Sequence, residues 1–273
     1  MPDLKDIAGD IAIIGAGNMG GAILAGLTQA GLAPGRIRVT DPLRGSALAK
    51  QYGVVAVANA AEAAVGASVV IVAVKPHQVR DVLGQIASKL TPGSLVISVA
   101  ASVPVADLEA WAQSSGNPKP AVVRAIPNTP AKLRQGVTAM TRGSFVTEAQ
   151  AVTAQAVFGA VGAVVSIDEA LLPAVSSVSG CGPAYLFLVA EAMTEAGVRL
   201  GLPRDAAQKL VTQTFVGASA LMATGEPSAE LRAQVTSPGG TTAAAIFELE
   251  NRGVRAAFSA AMKASVDRTR ELA

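Results

Sequence analysis

Aromatic side chains are scarce in this chain: one Trp, two Tyr and six Phe make up 3% of 273 residues. A core this poor in rings must be built from Ala, Val, Ile and Leu, which suits close-packed helices and parallel strands buried on both faces. Cysteine is scarcer still. With Cys181 alone, no disulfide can form within the chain, and a reducing cytoplasm is the expected setting. Charged residues are few, at 15%, and nearly balanced: 22 Lys and Arg against 20 Asp and Glu leave a net charge of +2. No basic cluster interleaved with aromatics is present, so no nucleic-acid partner is expected. The N-terminus, Met1-Pro2-Asp3-Leu4-Lys5-Asp6, lacks the basic stretch and apolar run of a signal peptide. Mean hydropathy is high at +0.43, yet Gly, Pro or charge interrupts the apolar stretches, as Glu191 does within 184–192. No membrane span is therefore expected, and the surplus apolar character reads as a subunit interface. No metal site, internal repeat or low-complexity tail is expected.

What is there falls into two halves. Short apolar runs at 11–15, 37–40, 54–57, 69–74, 95–99 and 122–126 alternate with helical stretches at 18–30, 44–51, 60–65, 78–90 and 105–113. Strand–helix–strand at this spacing predicts a parallel sheet covered on both faces. A further strand at 137–140, a helix at 147–159 and a last strand at 163–167 complete this half. Beyond Asp168 no strand is evident, and helices are expected at 184–199, 205–223, 229–234, 242–251 and 256–272. Met193, Leu210, Val211, Phe215, Val216 and Leu221 are more apolar residues than one small bundle needs, which points to helices that bury a face in a partner chain. The expected architecture is an α/β domain over 1–168, followed by an all-α domain over 169–273 that makes the dimer.

The run 10–14 leads directly into Gly15-Ala16-Gly17-Asn18-Met19-Gly20, and a helix follows. Glycines here permit a tight turn and close backbone approach, and the helix start offers free N–H groups to a pyrophosphate. This reads as a dinucleotide site in a Rossmann-type domain, with Ile14, Gly15, Gly17, Asn18, Met19 and Gly20 around the cofactor. The second strand ends at Thr40-Asp41. An acid there favours NAD through the ribose hydroxyls; Arg44, three residues on, favours the 2′-phosphate of NADP. Helix capping by Asp41 and simple solvation of Arg44 stand against these readings. NADPH and NADH both remain open, with NADP slightly favoured. The fourth strand ends in Ala73-Val74-Lys75-Pro76, and the carboxyl ends of strands are where an open parallel sheet binds ligands, so Lys75 either reaches the cofactor or only solvent. His77, the only histidine, reads as a surface residue of the next helix.

Two glycine-rich segments open helices in the second half: Ser179-Gly180-Cys181-Gly182-Pro183-Ala184-Tyr185 and Ser237-Pro238-Gly239-Gly240-Thr241-Thr242. The second offers consecutive N–H groups beside hydroxyls, a carboxylate-binding arrangement; ordinary capping and tight helix packing are the competing explanation. With Gly15–Gly20, Ala73–Pro76, Arg124-x-x-Pro127-Asn128-Thr129-Pro130-Ala131 and the closing Arg268-Thr269-Arg270-Glu271, these segments closely resemble the pyrroline-5-carboxylate reductase family over almost the whole chain. Cys181 departs from the usual Ser of that family. The resemblance implies reduction of 1-pyrroline-5-carboxylate to L-proline by NAD(P)H, in a homodimer through the helical domain, sometimes assembled further into a decamer. It implies that Thr241 and Thr242 line the substrate, that Ser237, Gly239 and Gly240 hold its carboxylate, that Asn59 contacts the cofactor, and that Glu169 is a substrate-side acid.

The chemistry suits so few proton donors. Hydride addition to a carbonyl needs a donor for the alkoxide, and the helical half holds only Lys209 and Lys263 as lysines. A cyclic imine carries its proton already, so positioning remains, with Thr242 near the ring nitrogen and Glu169 favouring the cation. A β-hydroxyacid dehydrogenase is the nearest rival, but the lysine such an enzyme places after a Gly-x-Gly turn is missing from Pro183-Ala184-Tyr185-Leu186-Phe187. A non-catalytic NAD(P) sensor would need no carboxylate pocket.

Overall fold

The computed structural model describes Leu4 and residues 7–271. The N-terminal hexapeptide apart from Leu4, and the last residue of the helix expected over 256–272, lie outside these. The chain divides into two compact units. One runs to Gly180 and takes in the stretch from Val266; the other is Cys181–Ser265.

The first unit is built on one eight-stranded sheet: β1 (Asp10–Ile14), β2 (Ile37–Thr40), β3 (Val55–Ala56), β4 (Ala67–Val72), β5 (Leu95–Ser98), β6 (Ala121–Pro127), β7 (Gly136–Arg142) and β8 (Gly162–Ser166). Their order is β3-β2-β1-β4-β5-β6-β7-β8. The reversal at β1/β4 is the topological switch point where a doubly wound sheet binds its ligand. Successive residues point to opposite faces. Ile11, Ile13, Val69, Ile71, Leu95 and Ile97 join one core, and Ala12, Ile14, Val70, Val72 and Val96 the other. The helices covering the sheet are α1 (Asn18–Gln29), α2 (Gly45–Tyr52), α3 (Ala60–Ala64), α4 (Pro76–Ile86), α5 (Val105–Ala112) and α6 (Glu148–Gly159). Ile23, Leu24 and Leu27 of α1 and Phe158 of α6 fill the first core; Val79, Leu83 and Ile86 of α4 fill the second. Each such side chain contributes about 1.5–3 kcal/mol of transfer free energy. At Gly26 an added Cβ would lie 2.4 Å from Val161 Cγ1, so α1 needs glycine to lie this close.

The strands and helices expected from the alternating pattern are present, with ends displaced by one or two residues, except that the helix expected over 78–90 stops at Ile86 and continues as a 3-10 turn, Ala87–Lys89. One direction differs. β7 runs antiparallel to β6, from Val123 opposite Arg142 to Pro127 opposite Thr138. Only residues 128–135 join the two strands, with a 3-10 turn at Thr129–Leu133. A parallel crossover needs about a dozen residues or more, so the chain must double back. The longer connection through α6 then returns β8 parallel to β7.

From Glu169 the chain is helical: a 3-10 turn (Glu169–Leu171), α7 (Leu172–Val175), a π turn (Ser176–Gly180), α8 (Gly182–Arg199), α9 (Arg204–Met222), α10 (Ser228–Gln234), α11 (Thr241–Asn251) and α12 (Val254–Glu271). The elements over 169–180 have no counterpart in the periodicity of the sequence. Within α8 to α11, burial reaches only Ala207 and Val211 of α9. Phe187, Leu188 and Phe247 are each about two-thirds exposed. Apolar surface on this scale marks an interaction site.

The expectation that no apolar stretch reaches spanning length needs correction. Glu169–Arg199 is long and apolar enough to cross a membrane by length and composition, and little of it is buried. The turns at 169–180 add to α8 into one helical run, a continuity that Gly180, Gly182 and Pro183 conceal in the sequence.

Candidate functional site

The dinucleotide turn is held by three strands at once. Gly15 N–H donates to Thr40 O at the end of β2, and Ala73 N–H, just past β4, donates to Ile14 O. The three glycines differ in task. Gly15 has φ +87°, and an added Cβ would meet Ala73 O at 2.7 Å. At Gly20 the Cβ would stand 2.0 Å from Gly15 O, so α1 presses onto the turn only through glycine. Gly17 precedes α1 and has nothing within 4 Å of a built Cβ. That open approach, above a helix start with no acid in its first turn, suits a pyrophosphate.

Asp41 is engaged by this turn. Its Oδ2 accepts from Ala16 N–H at 2.8 Å, and its Oδ1 from Leu43 N–H at 2.9 Å and Arg44 N–H at 2.8 Å. Desolvation pushes the carboxyl's pKa up, but the three backbone donors and the Arg44 charge outweigh it and hold the pKa below its ordinary value. Both oxygens therefore brace the turn and the entry to α2. Arg44 is exposed and lines a cleft of about 290 Å³ with Gly17, Asn18, Gln51, Tyr52 and Lys132. Asn59 caps α3, its Oδ1 accepting from Glu62 N–H at 2.9 Å. Lys75 precedes α4, its backbone N–H donating to Gln78 Oε1, and Pro76 starts that helix. Lys75 and His77 are both exposed.

Sequence reasoning missed the use made of the Pro-Asn-Thr-Pro segment. Asn128 is 9% exposed. Its Oδ1 accepts from Val137 N–H at 2.9 Å, and its Nδ2 donates to Ser179 O at 3.0 Å. One side chain thus ties the end of β6 to the start of β7 and to the π turn. Glu169 is committed as well: its Oε1 accepts from Arg124 Nη1 at 2.7 Å and from Val105 N–H, at the start of α5, at 2.8 Å. The Arg124 side chain is 10% exposed, and its Nε has no partner among the described residues. No sequence signal marks either connection, because the partners are 45 and 64 residues apart.

In the second unit, the turn between α10 and α11 has Gly239 at φ +69°, and Gly240 precedes α11. Its N-cap, Gly240, brings no capping side chain, and the N–H groups of a helix's first turn are the kind of donor set an anion needs. Gly240 N–H is taken by Ser237 O at 3.0 Å. An added Cβ on Gly240 would strike Ser237 Oγ at 2.4 Å, whereas Gly239 is open. Thr241 is exposed and Thr242 half-buried.

Two protein families match parts of this chain. The family described as pyrroline-5-carboxylate reductase dimerisation matches residues 169–272, and that described as NADP oxidoreductase, coenzyme F420-dependent, matches residues 10–102. A pyrroline-5-carboxylate reductase of Pseudomonas aeruginosa is 44% identical over 268 residues, covering 96% of both chains. The chain belongs to the pyrroline-5-carboxylate reductase family. The solved structure of such a reductase from Coxiella burnetii superposes with TM-score 0.91 at 37% identity, covering 98% of this chain and 99% of that one. The Plasmodium falciparum pyrroline carboxylate reductase, solved with NADP bound, superposes with TM-score 0.83 at 25% identity, over 97% and 98%. Membership makes the chain a nicotinamide-dependent oxidoreductase with a Rossmann-type domain followed by a helical dimerisation domain.

Proposed function

We propose that this chain reduces 1-pyrroline-5-carboxylate to L-proline with NAD(P)H, the last step of proline synthesis. The observation that carries this reading is the uncapped start of α11 behind Ser237-Pro238-Gly239-Gly240, in a chain that also carries the dinucleotide turn. An anion-binding helix start suits the substrate's carboxylate, and the nicotinamide, when bound, supplies the hydride. With Gly240 N–H already taken, the carboxylate falls to the Ser237 hydroxyl and the N–H groups of Gly239, Thr241 and Thr242. Thr242 is placed beside the ring nitrogen, where its hydroxyl orients the protonated imine. Hydride arrival neutralises that cation, so no side chain need deliver a proton in the same step. The engagement of Glu169 with Arg124 and Val105 supports a positioning task for this acid rather than contact with the substrate.

On the cofactor side we assign Ile14, Gly15, Gly17, Asn18, Met19, Gly20, Asn59, Ala73, Val74, Lys75 and Pro76 to the dinucleotide. The use of both Asp41 oxygens by backbone donors, with Arg44 on the cleft beside Gly17, supports NADPH over NADH. The exposed apolar helices support a homodimer through residues 169–273, with 1–168 as the dinucleotide domain. A decamer of such dimers is the further assembly to look for by light scattering. The lone cysteine suits a cytoplasmic setting. Kinetics of Thr242→Ala with the imine test the catalytic assignment: a fall in kcat/KM supports it, and unchanged kcat and KM remove Thr242 from the mechanism.

A further inference from the structure

A lysine outside the residues assigned so far stands beside the start of α1. Lys132 sits on the 3-10 turn Thr129–Leu133, and its Nζ approaches Asn18 Oδ1 at 3.5 Å. Asn18 is the first residue of α1, immediately after Gly17. Lys132 lines the same cleft as Gly17, Asn18 and Gly21, and among the described residues no ion pair engages it. Its backbone is held from several sides. Asn128 fixes the start of the turn through Val137 N–H and Ser179 O. Ala131 is 1% exposed, and a Cβ on Gly136 would stand 2.9 Å from its backbone, so this stretch packs without slack. Arg134 closes the turn in the left-handed region at φ +58°, and its Nε donates to Ala160 O at 3.1 Å. A left-handed arginine costs energy and persists only where its surroundings hold it. The result is a rigid platform that carries an ammonium group over the helix start.

Resting on the reading of this turn as the cofactor site, we infer that Lys132 binds the pyrophosphate of the dinucleotide, giving the helix N-terminus a mobile, full positive charge to complement its partial one. Lys132 therefore acts on the part that NADH and NADPH share. Arg44, immediately before α2, acts on the part in which they differ. The two cations divide affinity from selectivity.

The test is equilibrium binding of NADH and of NADPH to the intact protein, followed by nucleotide fluorescence, for wild type, Lys132→Met, Lys132→Arg and Arg44→Ala. Lys132→Met is expected to raise both dissociation constants by a common factor of about ten, the weight of one charge-assisted hydrogen bond. Lys132→Arg should restore most of the loss. Arg44→Ala should weaken NADPH and leave NADH near its wild-type value. The exposed position of Lys132 means that the melting temperature should not move. If Lys132→Met weakens NADPH alone, the lysine belongs to the 2′-phosphate and the inference fails; if it weakens neither, it fails equally. A wild-type protein that binds neither nucleotide would instead overturn the cofactor reading itself, and this assignment with it.

Discussion

Removing Glu169 should destabilise this protein more than removing the arginine it holds. The Arg124 side chain is 10% exposed and that of Glu169 36% exposed, with Nη1 and Oε1 2.7 Å apart. Glu169→Ala leaves a guanidinium inside the fold whose Nε already lacks a partner among the described residues, and it strips the acceptor from Val105 N–H. Breaking a fully buried pair in this way costs about 3–5 kcal/mol. The partial exposure of Glu169 lowers the expectation to about 2–3 kcal/mol, because water reaches the vacated site. Arg124→Met keeps the volume and strands only a half-exposed carboxylate that still caps α5, so about 1–2 kcal/mol is expected. With the arginine gone, Glu169→Ala should cost about 1 kcal/mol less than it does alone, since contacting residues are not additive. Urea unfolding of the two single variants and the double variant gives all three numbers. Equal costs for the two single variants, or strict additivity, would refute the reasoning. Kinetics supply a second arm. Glu169→Gln keeps an oxygen for both donors, so kcat should stay within a few-fold of wild type. A fall of about 10²-fold or more would mark a proton-transfer role and restore Glu169 to the chemistry.

Three other outcomes follow from the geometry. Ser102 sits at φ +65° in the loop after β5, a conformation that costs an L-residue about 1–2 kcal/mol; Ser102→Gly should therefore raise stability by up to about 1 kcal/mol, after the added entropy of the unfolded glycine, and a lower melting temperature would show that its side chain fixes the loop. Gly20→Ala must move α1 or the turn, since its Cβ would lie 2.0 Å from Gly15 O; NADPH affinity should fall at least tenfold, roughly the effect of a 1.4 kcal/mol displacement, and unchanged binding by calorimetry would contradict the close approach. Asp41 has its folded pKa held below the ordinary 3.8, so its stabilising share is complete above that value and is lost as pH falls from 3.8 through the folded pKa; the stability gap between wild type and Asp41→Asn should stay flat near neutrality and close only in acid, and a gap that changes between pH 6 and 8, roughly the histidine range, would assign it to another group.

The sheet was the most legible part of this protein. Residues such as Ile11, Ile13 and Ile71 alternate with Ala12, Ile14 and Val72 into two cores, and that periodicity is local to each strand. The direction of β7 was legible only through the length of its connection, because a strand's own residues do not record which way it runs. The turns over 169–180 left no periodic trace: the π turn depends on Asn128, 51 residues away, for one of its carbonyl contacts. At the dinucleotide turn the glycine spacing carried the position of the site. The engagement of Asp41 with Ala16 N–H did not show, since capping and ribose-binding acids look alike in sequence. Lys132 was hidden for a similar reason, as an exposed lysine in a turn has no distinguishing pattern until the fold sets it beside Asn18. Wide apolar helix faces pointed to a partner chain, and exposed Phe187, Leu188 and Phe247 with the dimerisation family match agree with that reading.

The most direct test is oxidation of NADPH and NADH by the purified protein with 1-pyrroline-5-carboxylate, beside a β-keto acid as control. Turnover with the imine alone, faster with NADPH, is the result this account predicts. Turnover with the keto acid and none with the imine would contradict it and leave only the dinucleotide site standing.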